Sequence, residues 1–200
     1  KPGREGLELS ARLTPDGGEL QHMSWNIRSP DGVTVYSGDE GTADVSLPPG
    51  DYVVDARYGA TVLTELVSIP AATRLRVSCV LGAGGLKVEP LVSGIAVPPV
   101  ASRVRVFSMD GKRLMAVSVK PGEIIRLPEG TYRVESQVST GNVKAVADVH
   151  VTAGRVAAVK IARKAGLARL AFVGSPNSTV RWEIEDGSGG AIAARSGLSA

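Results

Sequence analysis

Along residues 51–58 the side chains alternate, with Tyr52, Val54, Ala56 and Tyr58 on one side and Asp51, Val53, Asp55 and Arg57 on the other. The pattern returns further on, where Tyr132, Val134 and Val138 alternate with Arg133, Glu135 and Gln137. A period of two describes a strand with one face in a core and the other in water. Similar reasoning predicts strands at 7–13, 23–29, 33–37, 42–47, 60–69 and 73–81, separated by turns such as Asp31-Gly32 and Asp110-Gly111. No stretch carries a sustained helical period. Seven short strands in about 80 residues fit a two-sheet Greek-key sandwich better than a large barrel.

The alternation is itself repeated. Leu47-Pro48-Pro49-Gly50-Asp51-Tyr52-Val53-Val54 returns as Leu127-Pro128-Glu129-Gly130-Thr131-Tyr132-Arg133-Val134, a shift of 80. Trp25-Asn26-Ile27 returns as Val104-Arg105-Val106 and again as Trp182-Glu183-Ile184, shifts of 79 and 78. Gly84-Gly85-Leu86 returns as Ala165-Gly166-Leu167, a shift of 81. Three landmarks at one spacing predict an array with units over 1–84 and 85–166 and an incomplete third over 167–200. The last piece holds room for three strands, near 167–173, 178–184 and 190–195, and lacks the Tyr-bearing strand. An open three-stranded face bearing Trp182 and Ile184 is marginal alone. It is expected to be covered by unit 2, by another chain, or by further parent sequence, with a longer array as first choice.

The Leu-Pro-x-Gly-x-Tyr-x-Val opening, followed by a strand ending in Val-x-Ile or Val-x-Val, resembles bacterial carboxypeptidase-regulatory-like repeats. These are transthyretin-like members of the immunoglobulin-like sandwich group. The resemblance covers both complete units and implies an extracytoplasmic module, periplasmic or at the cell surface, that serves as spacer, adhesive or accessory domain. The expected fold is therefore all-β, with tandem immunoglobulin-like Greek-key β-sandwich repeats. A fold of this kind does not by itself carry a function.

Composition adds bounds. An apolar share of 43% with 22% charged residues suits packed cores, and no apolar run approaches the length needed to cross a bilayer as a helix. The chain opens at Lys1 with neither an initiator Met nor a signal-peptide pattern, so a piece of a longer protein is expected. The single cysteine, Cys79, shares a strand face with Leu75, Val77 and Leu81 and reads as a buried, inert thiol. Charge is unevenly distributed: residues 1–84 hold seven Lys/Arg against eleven Asp/Glu, whereas residues 85–166 hold thirteen against six. Arg103 and Arg105 share one strand face, with Lys112, Arg113, Lys120 and Arg126 nearby in sequence. Such a face could attract an anionic envelope polymer, although ordinary solvated strand surface explains it more simply.

Catalytic chemistry finds little to work with. The two histidines, His22 and His150, fall in different units, no His pair has metal-ligand spacing, and no Ser or Cys sits in a nucleophile motif. No glycine-rich phosphate loop precedes a helix. The expectation is of no enzyme, no cofactor and no metal. The acidic run Asp39-Glu40-Gly41-Thr42-Ala43-Asp44 reads as a solvated turn, since calcium wants six to eight oxygen ligands. Of the aromatic rings, Trp25, Trp182, Tyr52 and Tyr132 occupy repeat positions and read as core, which leaves Tyr36 and Tyr58 as candidates for a sugar-stacking surface. Nucleic acid is not expected, because only Phe107 accompanies the basic run and no recognition helix exists. The sequence thus points to a structural or interaction module of a bacterial cell envelope, whose partners would be a protein or an envelope polymer. The alternatives are a glycan or anionic-polymer binder using Tyr36/Tyr58 or Arg103/Arg105, and an accessory domain of a larger enzyme.

Overall fold

The computed structural model describes residues 5–92, 95–96, 102–118, 120, 122–138, 144–163, 179–185 and 191–198. All of the regular structure among them is strand. None of it is a helix long and apolar enough to cross a membrane, which says nothing of a β-barrel.

Seven strands make the first sandwich: β1 (Gly6–Arg12), β2 (Ser24–Arg28), β3 (Thr34–Gly38), β4 (Ala43–Ser46), β5 (Gly50–Tyr58), β6 (Thr61–Ile69) and β7 (Arg74–Val80). They divide into a three-stranded sheet, β4-β1-β7, and a four-stranded sheet, β3-β2-β5-β6. Pairing is antiparallel except between β1 and β7, which run parallel with Leu7 opposite Leu75 and Ala11 opposite Cys79. Alternation decides which side chains meet between the sheets: Leu7, Leu9, Trp25, Ile27, Val54, Ala56 and Cys79 are all buried. The strand bounds expected from the sequence agree with those observed to within one or two residues.

The second sandwich repeats the plan. Its strands are β8 (Ala83–Val92), β10 (Ser102–Ser108), β11 (Leu114–Ser118), β12 (Ile124–Pro128), β13 (Gly130–Val138), β14 (Lys144–Val151) and β15 (Val156–Arg163), with a short β9 (Ile95–Ala96) added beside β8. The sheets are β12-β8-β15 and β11-β10-β13-β14, and β8 again pairs parallel with the last strand. A separate buried cluster, including Leu86, Val88, Val104, Val106, Leu127 and Val134, fills it. The chain is thus all-β, built of tandem immunoglobulin-like sandwiches. Beyond them lies a hairpin of β16 (Thr179–Glu185) and β17 (Ala191–Leu198). A register irregularity falls after Ile27 in the β2–β3 pair, after Val106 in β10–β11 and after Ile184 in β16–β17. A bulge bends and twists its strand at a set place, so its return supports the alignment of Trp25, Val104 and Trp182. The expected strand at 167–173 and the burial of Trp182 both lie outside the described residues.

The repeated Leu-Pro-x-Gly-x-Tyr stretch works as a latch between sheets. Leu47 and Leu127 are buried at the end of one sheet, and Tyr52 and Tyr132 are buried in the other. The Tyr52 hydroxyl donates to the Pro48 carbonyl at 3.0 Å, and that of Tyr132 to the Pro128 carbonyl at 2.7 Å. A buried phenol needs an acceptor, and reaching back four residues supplies one while fixing the corner where the chain changes sheets. The intervening glycine sits at φ +149° in the first sandwich and +155° in the second. That backbone is costly for a residue with a Cβ.

Candidate functional site: the joint between the sandwiches

No slack separates the two cores. Leu81 and Ala83 are buried with the first cluster and Leu86 with the second, so the chain crosses in a few residues. Gly82, at φ +56°, makes the bend. Its carbonyl accepts from the Glu129 amide at 2.8 Å, and the Glu129 carboxylate in turn accepts from the Ala153 amide at 2.9 Å. The variable position of the Leu-Pro-x-Gly latch in the second sandwich is therefore a tie to the crossing strand.

A second tie lies at the tip of the β5–β6 hairpin. There the Ala60 amide donates to the Arg126 carbonyl on β12 at 3.1 Å, and Ala60 packs on the second core. The Arg126 guanidinium lies 4.8 Å from the centre of the Tyr58 ring, a cation–π distance. Gly59 between them stands at φ +63°, and a Cβ there would come within 2.6 Å of the Arg126 Cβ and 3.0 Å of its carbonyl oxygen. Glycine is required here twice over, by the backbone angle and by the closeness of the other sandwich. Sequence reasoning passed over Gly59 because a glycine in a hairpin tip looks like any turn glycine. It grouped Arg126 with the basic run of its own unit and so missed its partner.

Of the sequence-predicted surface residues, Tyr36 and Tyr58 belong to the first sandwich, and Arg103 and Arg105 share one face of a strand in the second. Tyr36 and Tyr58 are each half-buried against the first core. Tyr36 sits opposite Ile27 on β3, and Tyr58, at the end of β5, is covered by Arg126. Arg103 is exposed and Arg105 half-buried on the outward face of β10, where they stand opposite Gln137 and Glu135 of β13. The neighbouring Arg133 is engaged by Asp148, 3.1 Å away, and that contact raises its pKa.

Most of the remaining chemical candidates are held by local partners. His22 is exposed, and exposed His150 meets the Thr131 hydroxyl at 3.0 Å through Nδ1. The acidic run is dispersed: Asp39 accepts from the Ser24 hydroxyl at 2.6 Å, and Asp44 from Arg74 Nε at 2.7 Å. Among the described residues no three His, Cys, Asp or Glu side chains gather as a metal site would require. Burial, aided by the charge of Glu65, pushes the Cys79 thiol up to about 12, so it stays protonated and unreactive at neutral pH.

No protein-family model matches the chain, the carboxypeptidase-regulatory-like one included, and no curated relative matches it. Among solved structures the chain is similar to GBS52, the minor pilin of the Gram-positive pathogen Streptococcus agalactiae. Identity there is 11% and the TM-score 0.40, over 84% of this chain and 100% of that one. It is similar to the shaft pilin SpaA from Lactobacillus rhamnosus GG at 10% identity and TM-score 0.38, over 82% and 98% of the two chains. It is also similar to the Bacillus anthracis TIE protein at 13% identity and TM-score 0.37, over 96% of this chain. The chain spans 41% of the length of the TIE protein chain.

Proposed function

We propose that this chain is a non-enzymatic spacer of a bacterial cell-envelope or surface protein, outside the cytoplasm. In this reading immunoglobulin-like units over 1–84 and 85–166, with a third begun over 167–200, are coupled stiffly enough to hold or present something at a set distance. The observation that carries the reading is the joint. A linker meant to flex would be long and solvated, whereas here the crossing strand, the Glu129 tie and the hairpin tip at Gly59 bind the sandwiches on two sides. Several charged side chains on the described surface also pair with each other, as in Arg28–Asp55 and Arg76–Glu8.

The test is a distance measurement. Spin labels at Leu66→Cys and Val146→Cys, both exposed on the outer four-stranded sheets, in a Cys79→Ala background, should give one narrow distance distribution. Gly59→Val should broaden it while leaving both sandwiches folded. A broad distribution in the parent protein would refute the spacer.

A further inference from the structure

Beside the joint lies an open cleft of about 380 Å³, lined among others by His22, Ser24, Asp39, Arg57, Tyr58 and Arg126. Its cations come from both sandwiches. In the first sandwich Arg12, Arg28, Arg74 and Arg76 each reach a carboxylate. Arg57 is the one arginine described there that has no such partner. Arg126 also has no carboxylate partner among the described residues, and its guanidinium is held over the Tyr58 ring. The one carboxylate in the lining, Asp39, already accepts from the Ser24 hydroxyl. The loop carrying it is anchored where the indole of Trp25 donates to the Glu40 carbonyl at 2.9 Å. Two guanidinium groups and an imidazole thus face one carboxylate, which leaves the cleft a net positive charge.

We propose that this cleft binds the phosphoryl group of an anionic ligand, with Arg57 of the first sandwich and Arg126 of the second as its main donors. A guanidinium offers paired N–H groups that match phosphate oxygens. Two such groups approaching from different sandwiches suit a tetrahedral oxyanion better than a flat carboxylate. Arg126 needs little reorganisation, because stacking on Tyr58 and the backbone tie to Ala60 already place it. A bound phosphoryl group would join the two sandwiches and act as a further tie across the joint. The site could take free phosphate or the phosphodiester of a polymer, since both present the same oxygens.

Titration with inorganic phosphate, and separately with a glycerol-phosphate diester oligomer, followed by amide NMR at constant ionic strength, tests this. Saturable shifts around Ser24, Tyr58, Gly59 and Arg126 are expected with at least one probe, and the tighter probe identifies the source. Arg57→Gln, at an exposed position outside the joint contacts, should weaken binding by about tenfold or more without changing the thermal midpoint. Arg103→Gln with Arg105→Gln should leave it unchanged. Shifts that never saturate, binding lost with the Arg103/Arg105 pair, or binding untouched by Arg57→Gln would each overturn the proposal. The spacer reading is tested without either probe, so the two stand or fall separately.

Discussion

Replacing Trp25 by alanine removes the largest fully buried side chain of the first sandwich. The ring is 1% exposed, lies between the sheets with Ile27, Val54 and Ala56, and donates its indole N–H to the Glu40 carbonyl at 2.9 Å. Its cross-strand neighbours on β3 and β5 are Gly38 and Ala56, small residues that leave the space an indole fills. At the equivalent place in the second sandwich Val104 stands between Ser118 and Ser136. Neither small neighbour can close over the hole, so Trp25→Ala should cost about 3–5 kcal/mol. The orphaned Glu40 carbonyl, about 1 kcal/mol more unless water replaces the donor, places the loss toward the upper end. Because each sandwich has its own core, urea unfolding followed by far-UV circular dichroism should show the loss in the first sandwich. Hydrogen exchange should rise over residues 24–58 far more than over 102–138. A loss below about 1 kcal/mol, or equal weakening of both sandwiches, would refute the assignment of the ring as the centre of a separate core.

Other outcomes follow from the same geometry. Tyr132→Phe keeps the ring but removes the hydroxyl that reaches Pro128, and should lower the stability of the second sandwich by about 1 kcal/mol in denaturant titration; no change would mean that the latch is ring packing alone. Cys79 has a folded pKa raised from 9.0 to about 12, so the thiol favours folding fully below pH 9. That advantage is lost as the pH rises toward 12, where the unfolded chain ionises first. Stability of the parent protein should therefore fall more steeply than that of Cys79→Ala between those values, and parallel curves would show the thiol to be solvated.

The joint shows how the two outcomes of the Gly59→Val experiment separate. The added side chain meets Arg126 rather than anything in its own sandwich, so the second sandwich should keep its thermal midpoint and the first should lose only the cost of the positive φ, about 1–2 kcal/mol, while the distance distribution widens. Unfolding of the first sandwich instead would mean that the φ of +63° at Gly59, not the neighbour, dominates the response.

Much of the fold is legible along the chain, because a strand's two faces are a local property. Alternation at 51–58 and 132–138 names the buried side chains before any pairing is known, and the Leu-Pro-x-Gly-x-Tyr latch carries its own acceptor four residues back. The matching of Trp25 with Val104 is likewise readable as a repeat position. What local pattern cannot express is which side chain meets which across a sheet or across the joint. Arg28 is neutralised by Asp55 from the adjacent strand β5 while Arg57, on β5 itself, is not, and Arg105 stands opposite Glu135. Tyr58 continues the core alternation of its strand, yet its ring is finished by an arginine 68 residues later. Those pairings depend on strand register and on how one sandwich sits against the next, and neither leaves a periodic trace in the order of residues. Two-faced strands and their repetition are written along the chain, whereas only the packing of one sandwich on the next makes a turn glycine and a surface arginine into a joint.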